Sequence, residues 1–276
     1  MRAWRDGLVT AACAAGFAVA VGCSAAAAQS EPAVPCGSAE IARGTVLRVI
    51  DSRTFVLDDN REVRLAAIEA PALDSGAPAN DGARNALDAL IGGDAVVLRR
   101  AEFASDRYGR LVAYAYAVRD GEEIFAQGEM ISSGYARVGD RVGGRACAAD
   151  LLAREAAARR DKLGLWSNSY YQVLDAGSPA DVLAKRGHFA LVEGRVVSVR
   201  ESGATIYVNF GRRWSEDFTV TVLKRNERTF AAAGVDLKGL AGRRVRVRGW
   251  VEERGSGGSP EITAEHPEQI ETAGLQ

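Results

Sequence analysis

The stretch GTVLRVIDSRTFVLDDNREVRLAAIEAPA, residues 44–72, most constrains what this chain can fold into. Residues 45–50 and 54–57 alternate apolar with polar side chains, and 62–68 does so again, the period of strands half buried against a core. Asp58-Asp59-Asn60 is turn chemistry between the second and third runs, because short polar side chains bond nearby backbone and tolerate left-handed geometry. Asp51, Arg53, Arg64 and Glu69 sit at the strand ends, and Pro71 stops the third run. The reading is three short strands wrapped around one charged pocket.

Further along, a Pro-, Ala- and Gly-rich loop over 71–80 leads to a helix over 81–91. Its Ala83, Leu87, Leu90 and Ile91 share one face, and Gly92-Gly93 ends it. A strand over 95–99, a tight basic loop over 105–110 and a strand over 111–118 follow. Two more helices are expected, over 124–133 closed by Gly134 and over 147–163 closed by Gly164. Five strands with an interposed helix suit a small barrel of the oligonucleotide-binding (OB) type. The pattern weakens over 168–186, where Gly177-Ser178-Pro179 suggests a linker. Alternation then resumes over 190–200, 205–210, 218–223, 243–253 and 261–264, with one helix over 226–233. The expected fold class is mainly β with α (α+β): a five-stranded OB-type barrel with three helices, then a second, smaller OB-like barrel. The expected divisions are a signal peptide at 1–28, an arm at 29–39, the first barrel at 40–167, a linker at 168–187 and the second barrel at 188–272.

Three segments resemble the signature blocks of the staphylococcal-nuclease (thermonuclease) family: VIDSRT, VRLAAIEAP and DRYGRLVAYAY at 106–116, in family order and spacing, closed by GLW at 164–166. The resemblance covers about Arg43 to Trp166 and implies an OB-type barrel and phosphodiester chemistry. The family holds a calcium with two aspartates, uses a glutamate base and grips the phosphate with two arginines. Matched by motif, Arg64 and Arg110 stand for those arginines, whose planar fork suits phosphate oxygens. Tyr108, in the same loop, is placed for packing or for stacking on substrate. Asp51 and Glu69 are the candidate calcium ligands. Asp106 reads as a turn cap.

The acidic half departs from the family. Arg53 stands in IDSRT where an aspartate is usual, and Ala72 stands where the glutamate base follows the proline; Asp74 lies two residues further on. Losing a positioned base costs about 10²–10⁴ in rate, and losing metal stabilisation costs several kcal/mol more, roughly another 10²–10³. Arg53, Arg64 and Arg110 could instead make a metal-free anion pocket. The expected function is therefore an exported thermonuclease-like protein acting on or binding a nucleic-acid backbone, DNA or RNA, or another phosphorylated polymer. The alternatives are an active calcium-dependent nuclease with a rearranged acidic set, and a non-catalytic scaffold in the cell envelope.

Charge and cysteines decide the setting. Arg2 and Arg5, the apolar run over 8–21 and Ala26-Ala27-Ala28 have the layout of a secretory signal, with lipoprotein processing at Cys23 as the rival. The run is too short to span a bilayer. Losing Arg2, Arg5 and Asp6 takes the net charge from −1 to −2, so any nucleic-acid footprint must be local. Cys36 and Cys147 then remain, and export favours one disulfide between them over two thiols. Finally, RRVRVRGWV at 243–251 puts Arg244, Arg246, Arg248 and Trp250 on one face. That face suits single-stranded nucleic acid, or is an ordinary solvent face opposite a core of valines.

Overall fold

The computed structural model describes residues 36–37, 39–71, 81–255 and 258–272. The expected signal peptide, Cys23, most of the arm, Ala72 and Asp74 lie outside the described residues.

Two rings of strands follow one connectivity. In the first, β1 (Glu40–Asp51), β2 (Thr54–Leu57) and β3 (Glu62–Leu65) form a meander, and β4 (Ile68–Glu69) leads away from it. Helix α1 (Asp81–Ile91) crosses to β5 (Ala95–Ser105) and β6 (Leu111–Arg119). β5 pairs with β1, and β3 pairs in parallel with β6 at Arg64↔Val112, which closes five strands into a barrel. Parallel closure needs a crossover, and α1 supplies it. Phe55, Leu57, Val63, Leu65 and Leu98 fill the interior, with Ala83, Leu87 and Ile91 of α1 closing one end. Asn60 at φ 67° and Gly93 at φ 75° take the left-handed turns into β3 and β5 that branched side chains resist.

β7 (Glu122–Phe125) extends the sheet from β6, ahead of α2 (Ala126–Ser132). Residues 124–133 were expected as one helix. The Asp120-Gly121 pair, at φ 53° and 85°, instead makes a tight hairpin that takes 124 and 125 into the strand. β8 (Arg137–Val138) pairs with β4, and α3 (Arg145–Arg160) follows. Cys147 in its first turn is bonded to Cys36, Cα–Cα 5.0 Å.

Residues 168–187 are no bare linker. They form a 3-10 turn at Ser169–Tyr171, β9 (Leu174–Asp175) parallel to the next strand, and α4 (Pro179–Leu183), burying Tyr171, Ala176 and Val182. The irregular spacing of those apolar residues hid them from a periodicity argument.

The second ring follows. The strand expected over 190–200 bends at Val196-Val197 into β10 (Phe189–Arg195) and β11 (Ser198–Ser202). β10 pairs with β14 and β11 with β12, so one bent strand serves both ends of the ring. β12 (Thr205–Asn209) and β13 (Thr219–Leu223) complete its meander, α5 (Glu227–Ala232) crosses over, and β14 (Arg244–Arg254) and β15 (Ser259–Thr263) close it, β15 parallel to β13. A short β16 (Ile270–Glu271) adds to β14. The chain therefore folds as two OB-type barrels, with the helix between third and fourth strands in both.

The arginine face of β14 differs from the expected solvent face. Arg244 and Arg246 both bond Glu193 across the sheet, at 2.6 and 2.5 Å. Arg248 is 0% exposed and donates to Glu155 of α3 at 3.0 and 2.7 Å, to Glu271 at 2.6 Å and to the Val138 carbonyl at 3.0 Å. Arg248 locks the second barrel to α3, while Arg244 and Arg246 are paired within the second barrel's own sheet. No helix among the described residues is long and apolar enough to cross a membrane.

Candidate functional site

The β1–β2 turn places Arg53. The Asp51 carboxylate accepts the Arg53 N–H at 2.8 Å, the Arg53 carbonyl accepts the Leu65 N–H at 2.8 Å, and Ser52 Oγ donates to the Pro71 carbonyl at 2.8 Å. Held there, Arg53 reaches Glu69 on β4 with an N···O distance of 2.5 Å, and both side chains are nearly buried. Burial pushes the Glu69 carboxyl above its ordinary pKa, an effect that Arg53, Arg137 and Arg64 offset only in part.

Arg64, on β3 opposite Thr54, is half-buried, and its guanidinium makes no hydrogen bond or ion pair with another described residue. Its pKa is lowered, first by burial, then by the like charges of Arg53 and Arg110, while Glu69 and Asp51 pull the other way. The strand ends and the β5–β6 loop thus bring Asp51, Arg53, Arg64, Glu69 and Arg110 into one electrostatic neighbourhood. An under-solvated guanidinium pressed by two others is stabilised by an incoming anion.

Arg110 is only partly available. Its Nε donates to Asp106 at 2.7 Å, and Asp106 also accepts the N–H groups of Tyr108 and Arg110. Asp106 is therefore a turn cap, as expected, and it orients Arg110. Tyr108, 74% exposed at the loop tip, lies 5.1 Å beneath the Arg110 guanidinium. The ring and the cation thus face each other at the tip of the loop.

Among the described residues the donor set does not fit calcium. That ion takes 6–8 oxygen ligands, and among the described residues no group of three His, Cys, Asp or Glu side chains could hold a metal. Glu69 is committed to Arg53, and Asp51 accepts the Arg53 N–H.

Sequence reasoning missed the wall beside this site. Arg137 of β8 is buried opposite Glu69, donates to the Phe189 carbonyl at 3.1 Å and lies 5.2 and 5.1 Å over the Tyr171 and Phe189 rings. Its Nε has no partner among the described residues. A cavity of about 120 Å³ is lined by Arg53, Glu69, Arg137, Tyr170, His188 and Trp250 among others, so the second barrel closes one side of the first barrel's site. No local motif announces Arg137, Tyr170 or His188, because two-residue strands and turns have no period to read.

A closed OB barrel with arginines at the strand ends and an Asp-capped basic loop is the arrangement expected of a nuclease-like domain. Residues 62–168 match the family model described as Staphylococcal nuclease homologue. The match includes Arg64, Glu69 and Arg110; Asp51, Arg53 and the second barrel fall outside it. No curated protein matches the chain.

Proposed function

We propose that this is an exported, thermonuclease-like protein that grips the phosphodiester backbone of nucleic acid through Arg64, with Arg53 and Arg110 beside it, and does not cut it by calcium-dependent hydrolysis. The observation that carries the reading is Arg64: half-buried, without an ion pair to another described residue, and destabilised as a cation by its two arginine neighbours. Arg53 on Glu69 argues against a metal site, and Ala72 replaces the side chain that would serve as base. The bond between Cys36 and Cys147 supports folding in an oxidising compartment, in keeping with the leader-like first 28 residues.

Oligonucleotide binding measured across a salt series tests this. Arg64→Ala should weaken binding by about 10- to 150-fold, the worth of a hydrogen bond to a charged group. It should also reduce the salt slope by about 1. Cleavage that needs calcium, stops with chelator and disappears in Arg64→Ala would show instead an active nuclease. Binding indifferent to Arg64 would leave the arginines as surface charge on a scaffold.

A further inference from the structure

The second barrel carries an open face that its own arginine-rich strand does not explain. On the outer side of β11 and β12, Arg200 pairs across the strands with Tyr207, and Ser198 with Asn209. The loop from β12 to β13 brings Trp214 over this face, and the end of β14 brings Arg254, whose guanidinium donates to the Trp214 carbonyl and lies 5.9 Å from the indole centre. Together they enclose a cavity of about 780 Å³ lined by Arg200, Tyr207, Asn209, Arg212, Trp214 and Arg254. Trp214 is 72% exposed. An indole left this open forgoes most of the burial that ordinarily fixes such a ring.

Charge narrows the ligand. Arg200 and Arg212 have no ion pair among the described residues, and Arg254 meets Glu261 only loosely, at 3.7 Å. Glu201, the one carboxylate lining the cavity, is already held by Lys224 at 2.7 Å and Lys238 at 2.9 Å, and those contacts bring its pKa down to about 2. In a chain of net charge −1, this is a local surplus of cations beside two accessible aromatic rings. Asn209 and Ser198 add a polar floor. Rings accept unpaired bases, whose faces are hidden within a duplex, and guanidiniums track the backbone. A neutral sugar would want free carboxylates and amides in place of arginines.

We propose that the second barrel holds a separate groove for single-stranded nucleic acid, in which Trp214 and Tyr207 stack bases and Arg200, Arg212 and Arg254 neutralise phosphates. It shares no residue with the Arg64 site and stands or falls without it.

The test uses the full mature chain with a labelled oligothymidylate, followed by fluorescence anisotropy, in the parent and in an Arg64→Ala background. In both, Trp214→Ala should weaken single-strand binding about 5- to 150-fold, as expected for one stacked base. Trp214→Phe should retain most of the affinity, and Arg200→Ala with Arg212→Ala should flatten the salt dependence. Duplex of the same length should be little affected by Trp214→Ala. The proposal is overturned if Trp214→Ala binds within twofold of its parent, if Trp214→Phe is as weak as Trp214→Ala, or if duplex binding falls equally. Binding of an anionic polysaccharide at least as tightly through the same residues would overturn it in favour of a saccharide ligand. Because Trp214 is solvent-exposed, its replacement should leave the melting curve unchanged.

Discussion

Replacing Arg248 by methionine probes the contact that makes one body of two barrels. The guanidinium and the Glu155 carboxylate are both fully buried, so Arg248→Met strands an ionised group away from water. Such a break costs about 3–5 kcal/mol. Glu155 keeps the Val138 N–H at 2.7 Å and Arg159 at 3.3 Å, which points to the lower end, about 3 kcal/mol. For a folded unit of this size that is a fall in Tm of about 6–12 °C. Thermal melts and urea titrations at pH 7 measure it. Arg248→Met with Glu155→Gln keeps an acceptor for Val138 but removes the stranded charge, and should recover at least half of the loss. The pH dependence gives a second reading of the same pair. Burial alone would raise the Glu155 carboxyl, but Arg248, assisted by the Val138 N–H and Arg159, takes it below its ordinary value of 4.5. A group depressed on folding contributes stability above its unfolded pKa and loses it as pH falls through the folded one. The gap between parent and Arg248→Met should therefore be full at pH 7 and narrow below pH 4.5. A single variant within about 1 kcal/mol of the parent, or a double variant no better than the single, would refute the argument.

Two further outcomes follow from the first barrel. Changing Cys36 and Cys147 together to serine opens a loop of 111 residues and should cost about 4–5 kcal/mol on the chain-entropy account. A Tm unmoved by reductant, or two titratable thiols in the native protein, would count against the bond. Arg53→Asp with Ala72→Glu restores a carboxylate beside Asp51 and Glu69 and a base after the proline, so calcium should raise the Tm of this variant and not of the parent, with calcium-dependent cleavage appearing alongside. A folded variant indifferent to calcium would mean that the pocket differs by more than those two side chains.

Much of the architecture was legible because alternation and turn residues are local signals. The limits of α1 and β2, the turn at Asp58-Asp59-Asn60, the five strands of the second ring and its one helix all follow from periodicity and punctuation. The hairpin at Asp120-Gly121 was not among the expected elements, and the apolar run after it was expected as helix from 124 onward. The candidate arginines were found by motif, since Arg64 and Arg110 lie in contiguous blocks. Which of them is engaged was not legible. Arg53 finds Glu69 sixteen residues away, and β14's arginines, identical in pattern to a solvent face, are claimed by Glu193, Glu155 and Glu271.

The sequence alone determined two rings of strands, the cysteine pair and the presence of Arg53 and Ala72 where the family pattern is acidic, because each is written in neighbouring residues or in residue identity. Only the tertiary structure decided which guanidiniums stay free. That depends on carboxylates brought close by folding from far along the chain, and on how deeply each pair is buried, neither of which a local pattern records. It left Arg64 and the Arg200–Trp214 face open and closed Arg53 and Arg248.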